Sequence, residues 1–179
     1  MRRTALDIPC TETLLDGTSL ALRALTPADS PAVTQLAHSL SEQERYLRFF
    51  TAHPTYLDAW ASGVTAPDGD NVAVGAFEAS RLIGVANYIR CARAEYAEIA
   101  MVVAHHQHQR GVGTVLLRAL AGTARRDGRR YFVADVLAGN HDMHRVISDL
   151  AWPTSRHIHG DVVRVEVDLD AVIATDVHD

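Results

Sequence analysis

Between Asn71 and Val103 the chain falls into three short, mostly apolar runs separated by polar breaks, which is the rhythm of a strand meander. Asn71–Glu78 and Arg81–Tyr88 read as an antiparallel pair linked at Ala79-Ser80, and Tyr96–Val103 as the third strand, polar at its start and apolar from Ile99. Ala66-Pro67-Asp68-Gly69-Asp70 marks the turn that leads into them. From Gly111 the period changes. Val112, Val115, Leu116, Ala119, Leu120 and Ala124 share one helical face, while Arg118, Arg125 and Arg126 fall elsewhere, and Gly128 ends the helix. Tyr131–Leu137 returns as a continuous apolar strand. The order strand, loop, helix, strand predicts a crossover and a parallel pair.

Either side of this centre the signals are weaker. Residues 1–16 read as a poorly structured lead-in and 170–179 as a tail. Ser19–Leu25 reads as a first strand. Thr26-Pro27-Ala28-Asp29 opens a helix to about Ser39, with Thr26 expected to accept from first-turn amides. Ser41 and Glu44 have capping-box spacing for a second helix, and a further helical piece is expected around Thr55–Ala61. Asn140–Leu150 reads as another helix. Arg156–His159 and Val162–Leu169 read as a closing strand pair, with Val163, Val165, Val167 and Leu169 on one side. The sum is α+β with a mixed sheet in one domain spanning 1–179.

Composition narrows the classes. The 179 residues, 47% hydrophobic, suit one globular domain. A net charge of −5 argues against a nucleic-acid partner. All basic residues are arginine; with no lysine in the chain, a lysine acylase of this sequence cannot modify its own side chains. Cys10 and Cys91 form no CxxC motif and read as free thiols of a reducing compartment. Met1-Arg2-Arg3 has no apolar stretch behind it, so no signal peptide and no membrane span are expected, and the predicted location is cytoplasmic.

The segment that carries chemistry is His108-Gln109-Arg110-Gly111-Val112-Gly113-Thr114, at a strand-to-helix junction. Amides of a loop and first helical turn point together, and the positive end of the helix reinforces them, so the segment suits a phosphate or pyrophosphate. Gly111 and Gly113 let the backbone approach. A Walker loop is excluded by the missing lysine. A dinucleotide fingerprint fits poorly, because Leu116 follows where a small residue belongs.

This stretch, with Ala97-Glu98-Ile99-Ala100-Met101-Val102-Val103 before it and Leu116-Leu117 after, resembles motif A of the GNAT superfamily, written Gln/Arg-x-x-Gly-x-Gly/Ala. Asn140-His141-Asp142-Met143 with Ile147 and Ala151-Trp152 is similar to the family's next motif, an asparagine-led helix. Leu40-Ser41 and Arg45–Phe50 resemble a stretch of bacterial Pat-type protein lysine acetyltransferases. His108 stands where glutamine or arginine is usual, Gln109 replaces a common glycine, and Ala151 another. The resemblance covers about residues 16–170. It implies a mostly antiparallel sheet flanked by helices, with a splayed parallel pair holding acetyl-CoA. The pantetheine arm would meet Met101, Val102 and Val103, the pyrophosphate would meet His108, Gln109, Arg110, Gly111, Val112, Gly113 and Thr114, and Asn140 would face the arm. The acceptor would be an amine, either protein lysine or a small molecule, in a monomer or homodimer. A catalytically weak acetyl-CoA-sensing domain is the other reading.

A lysine-like amine has a pKa of about 10.4 and arrives charged, and a positioned carboxylate, directly or through water, can take its proton. Glu98, in an apolar stretch of strand beside the cofactor loop, is the expected base, with Glu95 nearer the turn. The helix after Asn140 offers Ile147 and no tyrosine as acid, leaving water or substrate, with Tyr88 and Tyr96 as weaker choices. His105, His106 and His108, and the pair His141 and His144, read as loop and surface histidines, and no metal is expected. Arg125, Arg126, Arg129 and Arg130 read as a solvated helix end, with contact to the adenosine phosphates or to an acidic partner as the other readings.

Overall fold

A computed structural model describes residues 7–66 and 70–174; the turn read at 67–69, the first six residues and 175–179 lie outside them. The strands are β1 (Cys10–Thr13), β2 (Ser19–Ala24), β3 (Asn71–Glu78), β4 (Arg81–Arg90), β5 (Tyr96–Val103), β6 (Tyr131–Leu137), β7 (Thr154–His159) and β8 (Val162–Asp168). The helices are α1 (Ser30–Ser39), α2 (Glu42–Phe49), α3 (Leu57–Thr65), α4 (Val112–Arg126), α5 (His141–Leu150) and α6 (Leu169–Ala174). The eight strands form one sheet in the order β1-β2-β3-β4-β5-β6-β8-β7. Every neighbouring pair is antiparallel except β5 and β6. This is the expected mixed α+β sheet, and β3, β5 and β6 have the bounds read from their apolar runs.

Two apolar layers clamp the sheet. On one face Val33, Leu36, Phe49, Leu57 and Val64 from α1–α3 meet Phe77, Leu82, Val85 and Val102. The other cluster joins the predicted face of α4 to Ile83, Ala86, Tyr88, Phe132, Ala134 and the inward side of β8, with Ile147 and Leu150 of α5. Val163, Val165, Val167 and Leu169 are all buried, as the alternation required.

Several ends differ from the sequence reading. The lead-in carries β1, whose Cys10–Thr13 pair with Leu22–Ser19 of β2. Its polar sequence hid it, because Glu12 turns inward to meet Arg118 at 3.4 Å. Arg118 is therefore not on a solvated face of α4: its side chain is 2% exposed. The tail begins with α6 rather than as irregular chain. Pro27–Asp29 is a separate 3-10 turn before α1, and Thr26 accepts from it through its carbonyl, Asp29 N–H donating at 2.8 Å. The Thr26 backbone N–H and hydroxyl both donate in return to the Asp29 carboxylate, at 2.8 and 3.0 Å. The second capping box is as read: Glu44 N–H donates to Ser41 Oγ (3.2 Å) and Ser41 N–H to Glu44 Oε2 (2.8 Å). No helix among the described residues is long and apolar enough to cross a membrane.

Arg118 ties α4 to the sheet's first edge. Removing one partner of a buried ion pair strands the other and leaves a void, so Arg118→Ala is expected to lower the unfolding free energy by about 3 kcal/mol. Urea unfolding followed by far-UV circular dichroism measures this, and a change below about 1 kcal/mol would mean that β1 contributes little.

Candidate active site

The β5–β6 pairing is short. Tyr96, Ala97 and Glu98 are in register with Tyr131, Phe132 and Val133, and there the pairing ends. Yet β5 continues beside β4 to Val103, and β6 continues beside β8 to Leu137. From Ile99 onward the facing edges of β5 and β6 have parted. Their backbone donors and acceptors require partners that the sheet does not supply.

A cavity of about 810 Å³ occupies this opening. Ile99–Val103 line one side and Ala134, Asp135 and Val136 the other. Gln107–Thr114 close one end, α5 contributes Asn140, Asp142, Met143 and Val146, and α2 contributes Glu44, Leu47 and Arg48. Every residue expected at the site (Glu98, Met101–Val103, His108–Thr114 and Asn140) therefore faces one space.

The loop is built from unusual backbone. His105–Gln107 make a 3-10 turn. Gln109 and Gly111 then take left-handed conformations, φ +62° and +91°. The common glycine that Gln109 replaces is thus explained: the position needs a conformation that costs a side-chain-bearing residue about 1–2 kcal/mol. The first backbone bond of α4 runs from Val115 N–H to the Gly111 carbonyl at 3.2 Å. The amides of Val112, Gly113 and Thr114 have no intrahelical acceptor and form the positive end of a 15-residue helix. Gly113 has a packing reason as well as an access one. A Cβ there would lie 3.0 Å from Met101 Cε and 3.1 Å from a Val146 methyl, so glycine seats α4 against β5 and α5.

Three expected ligands have their side chains committed elsewhere. The Arg110 guanidinium donates to Asp16 (2.8 Å), Thr18 (2.5 Å), Glu78 (3.2 Å) and the Gln107 side chain, locking the loop to the β1–β2 turn. The Thr18 amide and this guanidinium together hold the Asp16 carboxyl at about 2. His108 Nε2 is 3.0 Å from the Val103 carbonyl, and its Nδ1 is 3.2 Å from Asp142, so the ring ties β5 to α5 rather than reaching toward the loop amides. Asn140 caps α5, its Oδ1 accepting from Met143 N–H at 3.1 Å. Only its amide NH₂ remains to face the cavity.

Glu98 lies at the vertex of the splay, opposite Val133, and is exposed to the cavity. The apolar neighbourhood expected for it is on the other face: Ala97 and Ile99 are buried, but adjacent strand residues point apart. Sequence reasoning missed Arg48. It lines the same cavity, and its Nε is buried without a hydrogen-bond partner. Nη2 reaches Asn87 at only 3.4 Å, and the guanidinium lies 4.9 Å from the Phe49 ring centre. Burial pushes Arg48 down to about 10 against the charges of Tyr56 and Glu98. Its setting between Leu47 and Phe49 was the available signal.

The reserve tyrosines do not reach the cavity. Tyr88 is buried and its hydroxyl donates to Asp127, the burial and that carboxylate together pushing it upward. Tyr96 stacks on Tyr131 with centroids 4.8 Å apart. No tyrosine lines the cavity among the described residues. Arg126 and Arg130 pair with Asp7 and Asp170, and Arg129 donates to the Ala94 carbonyl. These arginines cluster at the far end of α4, about 22 Å of helix from the loop. They therefore lie apart from the loop amides.

Comparison with known proteins gives a consistent picture. A family model described as acetyltransferase (GNAT) domain matches residues 19–151. An acetyltransferase of Pseudomonas aeruginosa is 28% identical over 156 residues, covering 81% of each chain. Among solved structures, the GNAT domain of S. lividans PAT is 29% identical with a TM-score of 0.80, covering 89% of this chain and 96% of that one. Spermidine N-acetyltransferase of Vibrio cholerae, in complex with CoA and spermine, shares the fold with a TM-score of 0.68 at 16% identity, covering 86% and 98%.

The left-handed conformation at Gly111 generates a prediction about the loop itself. Gly111→Ala places a Cβ where φ is +91° and should destabilise the protein by about 1–2 kcal/mol. An unchanged urea midpoint would show that the loop relaxes to another conformation.

Proposed function

Because the chain belongs to the GNAT acetyltransferase family, we propose that it passes an acetyl group from acetyl-CoA to a primary amine by direct attack, with Glu98 as general base. One observation carries this reading: a single cavity holds the α4 amides at one end, the unpaired β5 edge along its wall and Glu98 at the vertex. The pyrophosphate rests on the amides of Gln109–Thr114. The pantetheine arm takes the hydrogen bonds that β6 leaves open along Met101–Val103, as an added strand would.

The proton balance follows from the lining. The charged amine gives one proton to Glu98, directly or through water. The neutral nitrogen attacks the thioester carbonyl, and the carbon–sulfur bond breaks. With no tyrosine lining the cavity among the described residues, the departing thiolate takes its proton from water or from the acylated nitrogen. Amides at the end of a strand can stabilise the developing oxyanion.

Charge supports a cationic acceptor. Asp16, Glu44, Glu98, Asp135, Asp142 and Asp149 line the cavity, against the arginines Arg48, Arg110 and Arg145. The Pat-like stretch supports protein lysine in particular: Leu40, Glu44, Leu47, Arg48 and Phe50 form the acceptor-side wall. The same acidic wall suits a polyamine, and the Vibrio cholerae protein is a spermidine N-acetyltransferase solved with spermine.

Turnover of acetyl-CoA with a panel of lysine peptides, folded proteins and polyamines separates these readings. Lysine-bearing proteins are expected to be the better acceptors. Since the chain contains no lysine, side-chain self-acylation cannot obscure the result. Binding without turnover on any acceptor would leave a sensing domain instead.

Glu98→Gln keeps shape and removes the proton acceptor. It should lower kcat by roughly 10²-fold or more with acetyl-CoA affinity almost unchanged. The defect should shrink toward pH 9, where more of the amine is already neutral. A folded variant matching the parent from about pH 6 to 9 would transfer the role to water or another residue.

A further inference from the structure

At the rim of the cavity, where α2 meets the loop after β5, three side chains converge, of which the acyl-transfer reading uses only Glu44, as one acidic residue of the acceptor-side wall. Glu44, His105 and His108 each offer one donor atom, and the three atoms lie within 4.8 Å of one another. Glu44 Oε1 is 2.9 Å from His105 Nδ1 and 3.5 Å from His108 Nε2. We propose that these residues form a site for one divalent transition-metal ion of the zinc class, which joins α2 to the cofactor loop.

The site is prepared from both sides. Glu44 is fixed by the capping box: Oε2 accepts from Ser41 N–H at 2.8 Å, which leaves Oε1 aimed at the two imidazoles. His108 is oriented by Asp142, 3.2 Å from Nδ1. A carboxylate that takes the Nδ1–H of a histidine is the arrangement that supports metal-ligating histidines, with Nε2 free to bind the ion once it gives up its own proton. His105 is the exposed member, its side chain 65% exposed against 14% for Glu44 and 27% for His108. Ligands of a tetrahedral ion at about 2.0–2.2 Å stand roughly 3.3–3.6 Å apart. A torsional adjustment of His105 closes the widest gap.

The donor set selects the ion. Two imidazoles and one carboxylate suit borderline ions and disfavour magnesium and calcium, which take oxygen. Without metal, His108 Nε2 faces the Val103 carbonyl at 3.0 Å. Entry of the ion exchanges that hydrogen bond for a metal–nitrogen bond and displaces ring protons, so affinity falls as pH falls. The inference stands on side-chain geometry and does not depend on the acyl-transfer reading. His141 and His144 take no part: His144 Nε2 donates to the Leu137 carbonyl at 3.2 Å.

Isothermal titration with zinc chloride tests the proposal on the full chain, with the exposed neighbour His106 as control. The parent is expected to bind one Zn²⁺ in the micromolar range or tighter. His105→Gln lies outside the cavity lining and should weaken binding at least tenfold, while His106→Gln leaves it unchanged. Thermal unfolding without metal checks that both variants fold as the parent does. Absence of stoichiometric binding, parent-like affinity in His105→Gln, or an equal loss in His106→Gln would each overturn the assignment.

Discussion

The rest of this structure depends on a parallel pair that stops after three residues. Backbone groups cannot be left unpaired in a protein interior without a cost of about 1–3 kcal/mol each. Where β5 and β6 part after Glu98 and Val133, the fold leaves a row of such groups facing a cavity. The packing around it holds that opening apart. Helices α1–α3 grip β5 from one face through Val102, α4 supports the other, and β8 keeps β6 in its own register to Leu137. The proposed cofactor, with its amide groups and pyrophosphate, would complete what the sheet leaves open.

The loop after β5 turns that opening into a site with direction. Gln109 and Gly111 in left-handed conformations bring the chain round so that α4 points its N-terminus at the cavity. Arg110 holds the turn in place through Asp16, Thr18 and Glu78, acting as a strut. His108 does similar work between Val103 and Asp142. The side chains of the motif thus position backbone, and it is the backbone that is proposed to meet the anion.

Much of this was legible in the sequence, for reasons that differ by element. The bounds of β3, β5 and β6 followed from continuous apolar runs, and the position of the loop from two glycines at a change of period. The splay was carried by family resemblance, since no local pattern encodes the divergence of two strands. β1 was missed because a short polar strand looks like a lead-in. Its Glu12 turns inward only because Arg118 lies beneath it, a pairing between positions 106 residues apart. Glu98 was placed correctly on its strand, yet its surroundings were misjudged. Its apolar neighbours in sequence belong to the opposite face, which the two-residue period of a strand implies. His108 and Arg110 were read as ligands because spacing reports where a side chain starts and not where it ends. Arg48 went unread for the same reason.

The central claim is that the unpaired edge of β5 and the first amides of α4 together hold acetyl-CoA. A crystal structure of the protein with CoA bound tests it most directly. Pyrophosphate oxygens should lie within hydrogen-bond distance of amides in the Gln109–Thr114 segment. The pantetheine amides should pair with the backbone of Met101–Val103, and the thiol should end on the Glu98 side of the splay. Cofactor bound elsewhere on the surface, or bound in this cavity with its pyrophosphate away from the α4 amides, would contradict the account.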